Sequence, residues 1–276
     1  MNVSVVFTID NLYVQPFLAA TTSMTINSSS PIEIYIVYEQ LSIRNISLIR
    51  LNFLFRKVKL HFLRISTEAL QGLSITHHIS VTTYFRLMLA KLLPATLDKI
   101  IFMDADIIVT GNISELFHTE LKGAACAAVE NPNITLGYLN KIGLKSESYF
   151  NAGVLLINLE YWRSQEVFEK SLEFLNERSH SLSLWDQDGL NYILEDFWIK
   201  LHPGWNLMHS YFLEEIFRSS YTGDEIRQAI ESPCIVHYSG GGKIKPWDPH
   251  CDHQFRDLYY HYLLKSIWKI KFWLKR

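Results

Sequence analysis

The chain has 276 residues, 48% hydrophobic and 20% charged, enough for one sizeable α/β core and too apolar for a disordered protein. No stretch approaches the roughly 18 consecutive apolar residues of a membrane-spanning helix. The net charge of −2 is uneven: the last 12 residues hold Lys265, Lys269, Lys271, Lys275 and Arg276, leaving 21 basic against 28 acidic residues, −7, elsewhere. That balance argues against a nucleic-acid partner.

The opening MNVSVVFTIDNLYV lacks a basic region followed by an apolar run, so a cytoplasmic location is expected. Three cysteines, Cys126, Cys234 and Cys251, show no CxxC spacing and fit a reducing compartment. His250, Cys251 and His253 fall short of the four ligands of a structural zinc.

In chain order, residues 3–9 form a β-branched run and residues 17–24 suit a helix. Ile32–Tyr38 alternates like a strand, 42–55 has helical spacing, and 57–65 alternates again. Residues 82–92 read as a helix ending before Pro94, and Lys99–Met103 as a buried strand. This βαβαβ rhythm predicts a mainly parallel sheet with helices on both faces. Beyond it, 152–159 (AGVLLINL) reads as a central strand, 166–178 and 187–195 as helices, and 234–238 as a strand. From Asp252 the pattern is helical to the terminus. The expected organisation is one α/β domain over residues 1–250 and a basic helical tail over 251–276.

Asp104-Ala105-Asp106 follows the apolar run KIIFM. Two carboxylates at i, i+2 beyond a strand's carboxyl end can turn toward one hard cation, Mn²⁺ or Mg²⁺; the bland reading is a solvated turn. In HYSGGGKIKPW, from His237, glycines and lysines after a strand-end histidine suit a diphosphate beside a metal, or simply a flexible turn. Asn151 enters an apolar strand. Asp186 is either a helix N-cap or a site carboxylate, and Arg86 either a surface cation or part of a site. His77 and His78 carry no assigned role.

Together these segments resemble glycosyltransferase family 8, and within it bacterial galactosyl- and glucosyltransferases of lipooligosaccharide and lipopolysaccharide. HHISVTTYFRLML, FMDADIIVTGNI, YFNAGVLLINLEYWR, WDQDGLN and HYSGGGKIKPW stand in the family's order. The resemblance implies a GT-A (Rossmann-like) fold and retaining transfer of a hexose from a UDP-sugar with Mn²⁺. It implies Asp104, Asp106 and His237 as metal ligands. Thr8 and Asp10 fall on the uracil side, and Ala105 and Ala152 line the donor. Arg86, Asn151 and Asp186 would hold the sugar, Gln187 would face the anomeric centre, and Gly240 would lie near the phosphates. Asp186 is also the candidate for a covalent route. The family pattern HxxGxxKPW is two residues longer here, which leaves two candidate phosphate lysines; Lys245 keeps the KPW context and is favoured over Lys243. The implied acceptor is a glycolipid or oligosaccharide. Rival readings are another surface glycan, a nucleotidyltransferase or phosphohydrolase, and an inactive nucleotide-sugar binder.

The tail adds an expectation of its own. Phe255, Tyr259, Tyr262, Leu263, Ile267, Ile270 and Leu274 recur at three- and four-residue spacing, with Trp268, Phe272 and Trp273 among lysines. Such a helix suits the anionic inner face of a cell membrane, with residues 255–263 free to dock on the body instead.

Overall fold

The computed structural model describes residues 2–65, 81–178, 180–213 and 219–269. The expected first half forms with small boundary shifts: β1 (Val3–Thr8), α1 (Val14–Asn27), β2 (Ile32–Tyr38), α2 (Ile43–Asn52), β3 (Val58–Arg64), α3 (Val81–Leu87), α4 (Leu89–Leu92) and β4 (Lys99–Met103). His77 and His78 lie outside the described residues. The single helix expected over 82–92 is split at Met88, where the N–H of Lys91 reaches back three residues to the Met88 carbonyl at 2.9 Å.

The second half contributes β5 (Ile107–Val109), α5 (Ile113–His118), β6 (Cys126–Glu130), α6 (Leu136–Ile142), β7 (Phe150–Asn158), α7 (Leu159–Ser164), α8 (Val167–Arg178), α9 (Asp186–Ile193), β8 (Trp198–Lys200), β9 (Leu207–Met208), α10 (Gly223–Glu231), β10 (Ile235–His237) and α11 (Arg256–Leu264). Seven strands form one sheet in the order β3-β2-β1-β4-β7-β6-β8, and β5-β10-β9 form a smaller one. In the large sheet only β7 runs against its neighbours, β4 and β6. The sheet is therefore mixed and mainly parallel, with helices on both faces.

Period-two alternation divides each apolar strand between two cores. Val6, Phe102, Leu155 and Ile157 meet α3, α4, α8 and α9, whereas Val5, Phe7, Ile101, Met103 and Leu156 meet α1 and the small sheet. This is why β7 is apolar at successive positions: both its faces are buried. Truncating Leu155 or Leu156 to Ala is expected to cost about 2–5 kcal/mol.

The C-terminal segment departs from the expected continuous helix. α11 ends at Leu264, where Ser266 Oγ donates to the Leu263 carbonyl and the Ile267 N–H is taken by Asn52 Oδ1 at 2.8 Å. Tyr259, Tyr262 and Leu263 are buried, and Ile267 and Trp268 pack on the body. Five positions of the expected membrane stripe therefore face inward. Ile270, Phe272, Trp273 and Leu274 lie outside the described residues. No helix among the described residues is long and apolar enough to cross a membrane.

Candidate active site

The chain leaves the large sheet at the end of β4 and enters the small one at β5, and Asp104-Ala105-Asp106 is the crossing. The Asp104 N–H donates to the Gly153 carbonyl of β7 at 2.8 Å, and the Tyr238 N–H donates to the Asp106 carbonyl at 3.0 Å. Ala105 is buried between them. Antiparallel pairing sets His237 of β10 opposite Ile107, beside Asp106. His237 Nε2 lies 3.8 Å from Asp104 Oδ2 and 3.5 Å from Asp106 Oδ1. One ligand atom from each of the three residues falls within a 4.8 Å group, the only such metal-competent cluster among the described residues.

The tautomer of His237 follows from a chain that begins at an unambiguous donor. The Gly153 N–H donates to Asn151 Oδ1 at 2.9 Å, so that atom is an acceptor. Asn206 Nδ2 donates to the same oxygen at 2.8 Å, which turns Asn206 Oδ1 toward His237 Nδ1, also at 2.8 Å. Nδ1 therefore carries a proton, which leaves Nε2 as the ring nitrogen that faces the carboxylates and is placed to ligate a metal, as in histidines that bind metal. Two carboxylates and an imidazole form a donor set that fits Mn²⁺, with Mg²⁺ as the harder alternative. Gly153 is required by this packing: a Cβ there would stand 2.3 Å from His237 Cε1 and 2.9 Å from Asp104 Oδ2.

Two cations balance the buried acids. Arg86 contacts Asp104 at 2.5 Å and Asp186 at 3.0 Å, with its guanidinium 4.5 Å from the centre of the Phe102 ring. Burial weakens the charge of Arg86, and the two carboxylates more than offset this. Lys245 pairs with Asp106 and donates to the Tyr238 carbonyl at 2.8 Å. Burial raises Asp106, yet His237 and Lys245 hold it well below the usual carboxylate range. For Asp104 burial prevails, helped by Asp106, and its carboxyl is raised despite Arg86. Of the two candidate lysines, the fold brings Lys245 to the carboxylates and leaves Lys243 exposed. Gly240 permits this turn with φ +111°, in the left-handed region.

Asp186 is the first residue of α9 and not its N-cap; that position is Trp185, at a strained φ of 45°. Its carboxyl is pushed up to about 6 by burial and by Asp104, against the pull of Arg86. Gln187 is held at both ends of its amide. Oε1 accepts from the Ala152 N–H at 2.9 Å, and Nε2 donates to the Tyr149 hydroxyl at 3.3 Å. Tyr149, whose proton is retained because burial and Asp188 raise it well above its ordinary value, donates in turn to Asp188 at 2.7 Å.

Asp10 spends its carboxylate on the start of α1, accepting from the Leu12 and Tyr13 N–H groups at 2.8 and 3.0 Å. Its neighbour Tyr13 packs edge-on against Trp247 of the lysine-bearing segment, ring centroids 6.1 Å apart. Burial raises that phenol, and Lys245, Asp106, Asp104 and Asp10 all act on it. Thr8 ends β1, half-buried, paired with Val37. Asn206, Gly153, Tyr149 and Asp188 were not singled out from sequence. Asn206 sits in a short 3-10 turn with no periodic pattern, whereas Tyr149 and Gly153 lie in YFNAGVLLINLEYWR and Asp188 in WDQDGLN, segments that could have found them.

A model of glycosyl transferase family 8 matches residues 4–251. General stress protein A of Bacillus subtilis (strain 168) is 33% identical over 215 residues, 76% of this chain and 74% of that protein. Lipopolysaccharide 1,2-glucosyltransferase of Escherichia coli (strain K12) is 30% identical over 77% of this chain and 63% of that protein. Glycosyltransferase GlyF of Streptococcus pneumoniae serotype 4 is 26% identical over 95% and 61%. The chain thus spans less than two thirds of the length of these last two relatives. Among solved structures, galactosyltransferase LgtC in complex with donor and acceptor sugar analogs matches with a TM-score of 0.82 at 26% identity, over 95% of this chain and 96% of that one. An active-site mutant of LgtC matches with the same TM-score over 94% of each chain. With this fold, this acidic cluster and these relatives, the chain belongs to glycosyltransferase family 8 and has the GT-A fold.

Proposed function

We propose that the protein is a retaining, metal-dependent hexosyltransferase that moves glucose or galactose from a UDP-sugar to a saccharide acceptor of the lipopolysaccharide or lipooligosaccharide type. The observation that carries this reading is the convergence of Asp104, Asp106 and His237, with Lys245 beside them. Asp104, Asp106 and His237 hold Mn²⁺ or Mg²⁺, which when bound supplies positive charge to the departing diphosphate. Lys245 moves its ammonium to a phosphate oxygen, and the backbone around Gly240 allows close approach. Arg86 and Asp186 grip the sugar hydroxyls, with Asn151, Ala105 and Ala152 lining the donor pocket and Thr8 and Asp10 on its uracil side.

Gln187 presents a fixed amide to the anomeric carbon, and fixed dipoles stabilise developing charge without reorganising. Amides are poor nucleophiles, so retention follows from attack on the face the leaving group vacates, with its phosphate taking the acceptor's proton. Asp186 is the residue placed for the covalent alternative. The acid-free terminal residues Lys271, Lys275 and Arg276, with Lys265 and Lys269, hold the enzyme on the anionic cytoplasmic face of the membrane, near a lipid-linked acceptor.

The test is turnover of UDP-glucose and UDP-galactose with oligosaccharide acceptors, followed by UDP release and product mass. Chelation should abolish transfer, Mn²⁺ should restore it, and Asp104→Asn or Asp106→Asn should lose it with the fold intact. Full activity in excess chelator overturns the metal assignment; UDP-sugar cleavage indifferent to every acceptor points to a hydrolase.

A further inference from the structure

Two basic stretches of the chain, each free of Asp and Glu, bear on the surface. Residues 40–67 carry Arg44, Arg50, Arg56, Lys57, Lys59 and Arg64, and residues 258–276 carry the five basic residues of the C-terminal end. The fold joins them. Ile267 donates its N–H to Asn52, 215 positions away, and the Arg56 guanidinium donates to the Lys265 carbonyl at 3.4 Å and to Thr25 Oγ1 at 2.9 Å. Asn27, at the end of α1, donates to the Tyr262 hydroxyl at 2.7 Å.

At this junction, by the amino ends of β2 and β3, the last turn of α2 and the loop from α2 to β3 turn apolar side chains outward. Phe55 is 96% exposed, Leu54 63% and Leu51 48%; Ile26 and Leu264, next in sequence to Thr25 and Lys265, are exposed as well. Single exposed leucines need no explanation, but adjacent apolar tips ringed by one sign of charge mark an interaction surface. Arg50, Lys57, Lys265 and Lys269 are exposed around them. Lys59 is the exception, its charge spent on Glu33. Where this loop meets the amino ends of β2 and β3 lies a cavity of about 360 Å³, lined by Ser28, Ser29, Ser30, Arg56 and Lys57 together with the apolar Pro31, Ile32 and Val58, with no carboxylate in its wall. Ser28 Oγ is buried there without a hydrogen-bond partner. Hydroxyls and cations without acids are the chemistry of a phosphate site.

We propose that the α2–β3 loop is a second membrane-docking element, in which Leu54 and Phe55 enter the headgroup region of an anionic phospholipid bilayer while Arg50, Lys57, Lys265 and Lys269 meet its surface charge. This rests on the peripheral-membrane reading above and adds an element which that reading does not contain. Insertion of apolar tips beside cations gives binding with both a salt-sensitive and a salt-insensitive part.

The test is co-sedimentation of the full-length protein with phosphatidylglycerol and phosphatidylcholine vesicles at low and high salt. Wild type should bind the former much more tightly than the latter at low salt, with the difference narrowing at high salt. Leu54→Ser/Phe55→Ser should weaken binding at least about tenfold at both salts, because the lost contact is apolar. Arg50→Gln/Lys57→Gln should weaken it mainly at low salt. These positions are exposed, so thermal unfolding and turnover with a soluble acceptor should stay unchanged. Lys271→Gln/Lys275→Gln/Arg276→Gln is run in parallel. If that variant releases the protein while Leu54→Ser/Phe55→Ser binds like wild type, the loop proposal is overturned and the tail reading stands. If wild type ignores phosphatidylglycerol vesicles, both fall, and turnover still reports on the transferase reading.

Discussion

A metal would meet His237 through Nε2, and the residue that takes up Nδ1 and fixes the ring, Asn206, touches neither carboxylate in the acidic pair. Replacing Asn206 by Ala is expected to weaken Mn²⁺ binding about 10–100-fold, the usual cost of losing a partner of a ligating histidine; calorimetric titration of Mn²⁺ into the protein with UDP checks it. Lys245 and Lys243 provide a second contrast. A charge-assisted bond to phosphate contributes about 1.5–3 kcal/mol, so Lys245→Ala should weaken UDP binding roughly 10–100-fold while Lys243→Ala barely changes it. Equal small effects would mean that the ammonium paired with Asp106 does not move to the diphosphate. The acids, the histidine, the arginine and the glutamine were legible in the sequence because each sits in a short segment of recognisable order. Asn206 was not, because its importance lies in which atom it faces.

The elements show the same division. Ile32–Tyr38 and Lys99–Met103 were readable to the residue; β1, β3 and β7 were anticipated with shifted ends, and β6, whose CAAVE is short and alanine-rich, was not. β5, β9 and β10, at two or three residues, are too short for periodicity to register, and only β10 was anticipated. Yet these short strands place His237. The C-terminal helix was anticipated and its end was not, because Asn52 and Ser266 stop it through contacts no helical pattern records. This segment should also show a pH signature. His253 is buried against Tyr238, Phe212 and His209, and burial, then His209, lower it from 6.5 to about 4. Above pH 6.5 it is neutral folded or unfolded and costs nothing. As pH falls from 6.5 toward 4, the unfolded chain takes a proton that the folded chain refuses, so stability is lost across that window. Thermal unfolding of His253→Gln should therefore show a shallower decline between pH 7 and 4 than wild type, from a lower starting value, because the Phe255 N–H loses its acceptor Nδ1.

At the scale of the molecule, the mixed sheet and the GT-A topology followed from strand–helix rhythm and family likeness, while the two-sheet construction did not. That construction lets one chain segment leave a strand of the large sheet, present two carboxylates, and enter the small sheet opposite a histidine. If it serves retaining transfer, the anomeric proton of the product should keep the α configuration of the UDP-hexose; a β product by NMR would contradict the proposed stereochemistry. The polarity of the strands has a further consequence. The carboxylates sit where β4 ends, whereas Leu54 and Phe55 sit where β3 begins, and β1, β2, β3 and β4 all point the same way. A seven-residue strand such as β2 is about 23 Å long. An enzyme docked by that loop would carry its catalytic cleft like a lamp on a post, facing the cytosol and standing off from the lipid by the height of the sheet. Only an acceptor whose glycan rises that far from its anchor could reach the light, so the docking geometry itself would act as a ruler that selects long saccharide chains over short ones.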